Sequence, residues 1–528
     1  MTNKPTYEEL MALYTDTKDK LESANKELDK KDEEIKKAHL VIQELLKKLE
    51  TKDIQLKKQL TDRFGIRSDK RSTMYANEAE THASIRLGES KEKKKPGRKP
   101  GSKDAAKFDM TKVIYHEKTI DIKSKICDSC GHELIETNDL TSYKVDIIPA
   151  QVVLTKYIVK QYKCPNCTES NIYSEVNCFD NESFLTPSLG AYIVNCKYNY
   201  ALPLYRLESI FRQLGAPLSR QQICNYSIIV AEKLEPIYKR LREYMIHHNV
   251  GVLHADETTL KVIENKGRQK SYVWLYATTL YDKQIYIYEY QHSREACHPQ
   301  EFLKDYKGYL ICDDYVGYNN IKNVKLARCW FHAKKRFSEL VKILKLEQRK
   351  NSQAAKIEAM IANIIYIDNT ECKKEGNTPN QILEERKSEL KPFIDEYFRY
   401  IEQIYKDTDK TSELGKAIKY SLSIKEDLSR CLEDGHIELT NNLAERGIKP
   451  FVILRKNALF SNTVNGAEAT AILMSIVQTA KINLVKPDEY IKYVLERIDD
   501  MKASDIDSLL PFADELPENL KYKRKDLD

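Results

Sequence analysis

Leu21, Leu28, Ile35, Ile42, Leu49 and Leu56 recur every seven positions through a stretch without Pro or Gly, the period that keeps one helical seam facing a partner. The pattern predicts a coiled coil within residues 7–60. Its second seam is poor: Asn25, Asp32, His39 and Asp53 occupy it in one register, and Lys31 and Lys52 in the other. A weak or conditional dimer is therefore expected, with a single solvated charged helix as the plain alternative. Over residues 61–107 the periodicity stops and Gly, Pro, Ser and Lys accumulate, which predicts a flexible linker.

Residues 181–248 read as short helices opened by Pro187 and Pro203. The turn Gly215-Ala-Pro217 precedes a further short helix beginning at Ser219, with Arg220, Gln221, Gln222 and Asn225 facing outward. This is a helix-turn-helix-like pattern, and a simple helical packing unit reads the same way. After Asn249 the texture becomes alternating and β-branched. Val250–His254, Ser271–Leu280, Gln284–Tyr290 and Tyr309–Cys312 are expected strands, with a short helical piece around Glu301–Tyr306, giving a mixed α/β sheet. From about Phe337 to Leu432 the chain is rich in Lys, Glu, Leu and Ile at helical spacing.

A length of 528 residues implies several domains, and 41% apolar residues suffice for packed cores. The absence of an eighteen-residue apolar run, and the charged rather than apolar N-terminus, argue against a membrane or secreted protein. A soluble cytoplasmic protein is expected. The twelve Cys are dispersed, which fits thiols and metal better than a disulfide framework. Four of them form Cys127-x-x-Cys130 and Cys164-x-x-Cys167, joined by a strand-like run from Tyr143 to Tyr162. Four thiolates suit tetrahedral, structural Zn²⁺ in a module spanning residues 108–180, with His132 as the rival ligand. The net charge of +6 is modest, yet Lys91–Lys103 concentrates seven basic residues, Arg98 and Lys99 among them, around Gly and Pro. That arm suits phosphate contacts, or serves as a solvated spacer.

Candidate chemistry lies in acids placed where strands and helices end. Asp256 stands just beyond the first expected strand, and Asp313 with Asp314 at the end of the fourth. Thr440 is the expected N-cap of a helix that carries Glu445 about a turn and a half in, with Arg446 beside it. Three carboxylates from separate elements are what two Mg²⁺ or Mn²⁺ ions about 3.5–4 Å apart require for phosphodiester chemistry. Arg446, Lys449, Arg455 and Lys456 then become candidate phosphate contacts rather than a solvated helix face. Cys329-x-x-His332 has ligand spacing, but no second pair lies near it in sequence, so a structural role is expected.

Several blocks carry a resemblance: His254-Ala-Asp256-Glu257-Thr258, Cys312-Asp313-Asp314-Tyr315-x-Gly317-Tyr318, Cys329-Trp-Phe-His332, and Asn441-Asn442-x-Ala444-Glu445-Arg446 continuing to Pro450 and Arg455-Lys456-Asn457. They resemble the insertion-sequence-sixty-six family of bacterial transposases, as do the double CxxC, Pro203-Leu204-Tyr205-Arg206, Gly466-Ala-Glu468-Ala469 and Gln478-Thr479-Ala480. The resemblance runs to about Arg497 and implies a ribonuclease-H-like catalytic domain with an Asp-Asp-Glu triad at Asp256, Asp313 and Glu445. Asp313 is preferred over Asp314 because it keeps the family's spacing to Tyr315 and Tyr318, although the family usually has Gly at position 314. Asp313 and Glu445 are 132 positions apart, too far for that fold alone, so an all-helical insertion is expected at 339–434. It would divide the catalytic core into 249–338 and 435–497, with 498–528 left as a tail. The implied function is cleavage at the ends of a mobile element and strand transfer into target DNA. The implied partners are terminal repeats, target DNA, a second copy through the zipper, and small accessory proteins of the same element. A catalytically inert DNA-binding remnant and a nuclease without strand transfer are the rival readings.

Overall fold

A computed structural model describes residues 7–8, 11–31, 33–34, 36–37, 150–156, 162–163, 172–173, 185–265, 270–344, 346–349 and 352–522. The four CxxC cysteines, His132, Arg98 and Lys99 lie outside them, as do the seam positions Ile35, Ile42, Leu49 and Leu56. Residues 11–31 are helical and exposed throughout, with Leu21 and Leu28 on the surface and the i,i+4 ion pairs Asp16–Lys20 and Glu27–Lys31 along the helix. Residues 150–156 are exposed and carry no regular secondary structure, so that part of the expected ribbon between the cysteine pairs is not a strand. Tyr162–Lys163 pairs antiparallel with Ile172–Tyr173.

Three helices lead into the sheet: α1 (Pro187–Val194), α2 (Leu204–Gln213) and α3 (Arg220–His247). The last was expected to be short. It runs for 28 residues through an internal Pro236, because its buried stripe from Ile223 to Met245 continues past the proline. The sheet has five strands: β1 (Val252–Leu260), β2 (Ser271–Thr278), β3 (Tyr286–Gln291), β4 (Gly308–Cys312) and β5 (Val324–Arg328). Their order is β3-β2-β1-β4-β5. The first three strands are antiparallel neighbours, β4 runs parallel to β1, and β5 runs parallel to β4. The short helix α4 (Cys297–Phe302) precedes β4.

Beyond β5 the chain is helical: α5 (Trp330–Ile343), α6 (Gln353–Ile367), α7 (Lys391–Asp407) and α8 (Glu413–Ser423), with shorter helical pieces between them. As the helical spacing predicted, the described residues of 339–434 include no strand. Their buried side chains, Ile357, Ile361, Tyr397 and Phe398 among them, form one cluster with Trp330 and with Val252, Ile311 and Ala327 of the sheet. A fully buried Arg386 bonds Asp368 at 2.6 Å and the Ile437 carbonyl at 2.7 Å, tying these helices to the segment that returns toward the sheet.

That segment opens α9 (Asn442–Ala458), followed by α10 (Val464–Ile482) and α11 (Pro487–Leu495). Helix α10 covers the edge strand β3: Thr479 Oγ1 accepts from Tyr286 N at 3.1 Å, and Ser475 Oγ accepts from Tyr288 N at 2.8 Å. Backbone groups that would otherwise stand unpaired on a sheet edge are satisfied in this way. Residues after Arg497, expected as a tail, pack onto the same core through buried Leu509, Leu510, Leu516 and Leu520. Asp507 takes a two-pronged bond from Arg240 of α3, and the Leu509 carbonyl accepts from Tyr490 Oη at 2.7 Å.

Candidate active site

Asp256 lies inside β1 rather than beyond it, because the polar run Asp256-Glu-Thr-Thr259 continues the pairing with β2 up to Leu260. The parallel pairing of β1 with β4 matches Val252 to Tyr309 and His254 to Ile311. Continued two residues, that register brings Asp256 level with Asp313, which follows the last residue of β4. Side chains alternate along a strand, so Asp256 shares a sheet face with His254 and Glu257 takes the other.

Glu445 comes from the start of α9. The expected cap, Thr440, is displaced by Asn441, which shortens the lead-in and puts Glu445 in the first turn. Asn441 makes no side-chain cap bond because its amide is used elsewhere. Its Nδ2 donates to the Ala255 carbonyl at 2.8 Å, and its Oδ1 lies 3.0 Å from His254 Nδ1. Since the amide nitrogen is the donor to Ala255, the histidine nitrogen donates to Oδ1. Burial holds the His254 pKa below its ordinary value and favours that neutral ring. Asn441 thus locks the start of α9 to β1 beside Asp256. Its place in the Asn441-Asn442 pair does not disclose this role in the sequence.

The acids influence one another electrostatically. Burial, and then the neighbouring carboxylates of Glu257, Asp313 and Glu445, hold the Asp256 carboxyl well above its usual range; the Glu257 amide, donating to Asp256 Oδ1 at 2.8 Å, opposes them. The two adjacent acids that might be confused with the cluster are engaged elsewhere. Glu257, whose side chain is 3% exposed, is paired with Arg294 and accepts from Tyr318 Oη at 2.7 Å. Asp314 is paired with Arg336 of α5 at 2.8 Å. Asp313 Oδ1 instead accepts from Tyr315 N at 3.0 Å, and its backbone carbonyl is held by Arg328. Arg328, at the end of a strand that the sequence pattern did not predict, braces the loop carrying Asp313. Cys329 and His332, expected to play a structural part, stand beside Glu445. Burial raises the Cys329 thiol to about 12, the amide of Asn441 opposing and the Glu445 carboxylate adding to the rise.

The predicted DNA contacts divide. Arg220 is exposed at the start of α3, and Arg446, Lys449 and Lys456 are exposed on α9. Gln222 is partly buried and engaged in a capping box, its Oε1 accepting from Ser219 N at 2.9 Å. Arg455 Nη1 donates to Thr258 Oγ1 at 2.9 Å and to the Thr259 carbonyl at 2.7 Å, so this predicted phosphate contact binds α9 to β1 instead of standing free.

The fold and site define an α/β protein with a carboxylate cluster drawn from a central strand, its parallel neighbour and a helix start. Residues 182–469 match the model described as Transposase IS66 family, and the chain belongs to that family. Residues 475–512 match its C-terminal element. Residues 124–168 match the zinc-finger binding domain of transposase IS66, which spans all four CxxC cysteines and supports a structural zinc. Three proteins of Sinorhizobium fredii are similar. Uncharacterized protein y4jD is 27% identical over 412 residues, covering 74% of this chain and 79% of that protein. Uncharacterized protein y4hP is 24% identical, covering 80% and 77%. Uncharacterized protein y4qI is 28% identical, covering 62% of each. Among the described residues no helix is long and apolar enough to cross a membrane.

Proposed function

We propose that this chain is a DNA transposase that cleaves the ends of a mobile element and joins the freed 3′ ends to target DNA, with Asp256, Asp313 and Glu445 as its acidic triad. One observation carries the reading: the parallel register of β1 and β4 brings Asp256 level with Asp313, and Glu445 at the start of α9 joins Asp313 among the charges that raise the Asp256 pKa. The strand order β3-β2-β1-β4-β5, antiparallel then parallel, supports a ribonuclease-H-like arrangement. A cluster of hard carboxylate oxygens whose charges repel one another fits divalent Mg²⁺ or Mn²⁺. When bound, such ions supply charge stabilisation for the attacking and leaving oxygens of a phosphodiester.

The chain's own residues would hold that centre in shape. Asn441 fixes the height of Glu445 over β1 through Ala255 and His254. Arg328 and the Tyr315 amide fix Asp313, while Arg336 draws Asp314 aside. Exposed Arg446 and Lys449, close to Glu445 on α9, would steer DNA phosphates toward the acids. The zinc-finger region, the basic arm with Arg98 and Lys99, and Arg220 would contact the terminal repeats, and the zipper would pair two chains.

The test incubates purified full-length protein with element-end DNA, target DNA and Mg²⁺ or Mn²⁺. Asp256→Asn, Asp313→Asn and Glu445→Gln should each lower joining by at least about a hundredfold, and Asp314→Asn should leave most of it. Loss in the Asp314 variant with joining intact in the Asp313 variant would reverse the choice of ligand. Cleavage without joining would reduce the protein to a nuclease.

A further inference from the structure

Cys329, His332 and Glu445 bring a thiol, an imidazole and a carboxylate together, each with a ligand atom within 4.8 Å of the other two. They arrive from two elements. Cys329 is the N-cap of α5 and His332 lies in its first turn, while Glu445 lies in the first turn of α9. The Cys329 side chain is buried, and its sulfur accepts the Asn441 amide at 3.3 Å. Donation from a backbone amide to sulfur is the support that a thiolate ligand receives outside its metal shell. His332 Nδ1 is buried and has no hydrogen-bond partner among the described residues. Buried polar nitrogens are nearly always satisfied, so this one calls for an occupant.

We propose that Cys329, His332 and Glu445 bind a borderline-soft divalent cation of the zinc class, sharing Glu445 with the acid cluster of Asp256 and Asp313. The donor set decides the class. Sulfur and imidazole nitrogen select Zn²⁺ over Mg²⁺, whose preference is for oxygen alone. Three protein ligands leave a tetrahedral ion one open position, unlike the closed four-thiolate arrangement of the zinc-finger region. The separation of 112 positions between Cys329 and Asn441, the helix start that brings Glu445 in, explains why the spacing in sequence looked incomplete. The third ligand comes from across the helical insertion.

The experiment measures zinc per chain by atomic emission on full-length protein dialysed against metal-free buffer. The parent should carry about two ions, one at each site. Cys329→Ser and His332→Asn should each retain about one, as should Cys164→Ser, which removes a zinc-finger ligand. Cys329→Asp, which restores a ligand, should recover the second ion, and a purely structural cysteine would show no such recovery. In cobalt-substituted protein, Cys329→Ser should remove the absorption of a single thiolate and leave that of the zinc finger. Unchanged stoichiometry in both Cys329→Ser and His332→Asn would overturn the proposal. Its failure is separable from failure of the transposase reading, because Asp256→Asn should abolish joining and still carry both ions.

Discussion

At the scale of single residues, the site depends on Asn441 as much as on the acids. It is 1% exposed, and three of its polar atoms serve three neighbours: Ala255, His254 and Cys329. Asn441→Ala would leave the Ala255 carbonyl and the His254 ring unpaired inside the protein, a cost of about 1–3 kcal/mol. It would also free the first turn of α9, so joining should fall further than the lost stability accounts for. Urea unfolding compared with joining rates under conditions where the variant is fully folded tests this; unchanged stability would show that the amide bonds are dispensable. The acids themselves were legible in the sequence as family blocks. The role of Asn441 was not, because an Asn-Asn pair near a helix start also reads as ordinary capping chemistry, and its partners lie 186 and 187 positions away.

At the scale of elements, regular apolar spacing was a sound guide and polar interruptions were not. The helical insertion and four of the five strands follow their patterns. Strand β1 looked finished at His254 because the following Asp-Glu-Thr-Thr run is polar, although those residues keep pairing with β2. Strand β5 is only five residues long with Lys325 at its second position, too little alternation to register. Capping chemistry accounts for two departures, since Ser219 engages Gln222 in a capping box and Asn441 replaces Thr440 as the cap. Helix α9 approaches the sheet closely at Gly447, where a Cβ would stand 2.8 Å from Leu275 Cδ2 and 3.0 Å from a Tyr286 ring carbon. Leu275 pairs with Asp256 across the sheet. Gly447→Ala should therefore push α9 away from the strand that carries Asp256, costing about 1–3 kcal/mol from overpacking. Joining should fall because Glu445 rides on the same helix, two positions before Gly447. A variant with parental melting temperature and parental joining would show that Leu275 and Tyr286 give way without moving the helix.

At the scale of the whole molecule, the sheet is enclosed on its β3 edge by α10 and backed by α3, and this closure buries a charge that the chemistry does not use. Glu289 on β3 pairs with Trp274 across the sheet, and one of its carboxylate oxygens is buried without a partner among the described residues. Burial raises its pKa from 4.5 to about 7; Arg242 and a bond to Gln291 pull it down, and Glu301 pushes it slightly back up. Tyr238 and Tyr276, also beside it, have raised pKa values of their own and stay neutral throughout this range. For an acid whose folded-state pKa lies above its unfolded value, nothing is lost below the unfolded value. Stability then declines as pH rises from about 4.5 to about 7 and levels off above, by at most about 3 kcal/mol for a shift of this size. Glu289→Gln removes the ionisable proton and keeps the shape, so it should gain on the parent progressively across that window. Urea unfolding of both proteins at pH 4.5 and pH 8 reads the difference directly, and an equal gap at the two pH values would mean that Glu289 ionises in the folded protein as easily as it does in water. Since Asp256 is also held above its usual range, the measurement belongs in the Asp256→Asn background as well, where only the Glu289 contribution remains of the two.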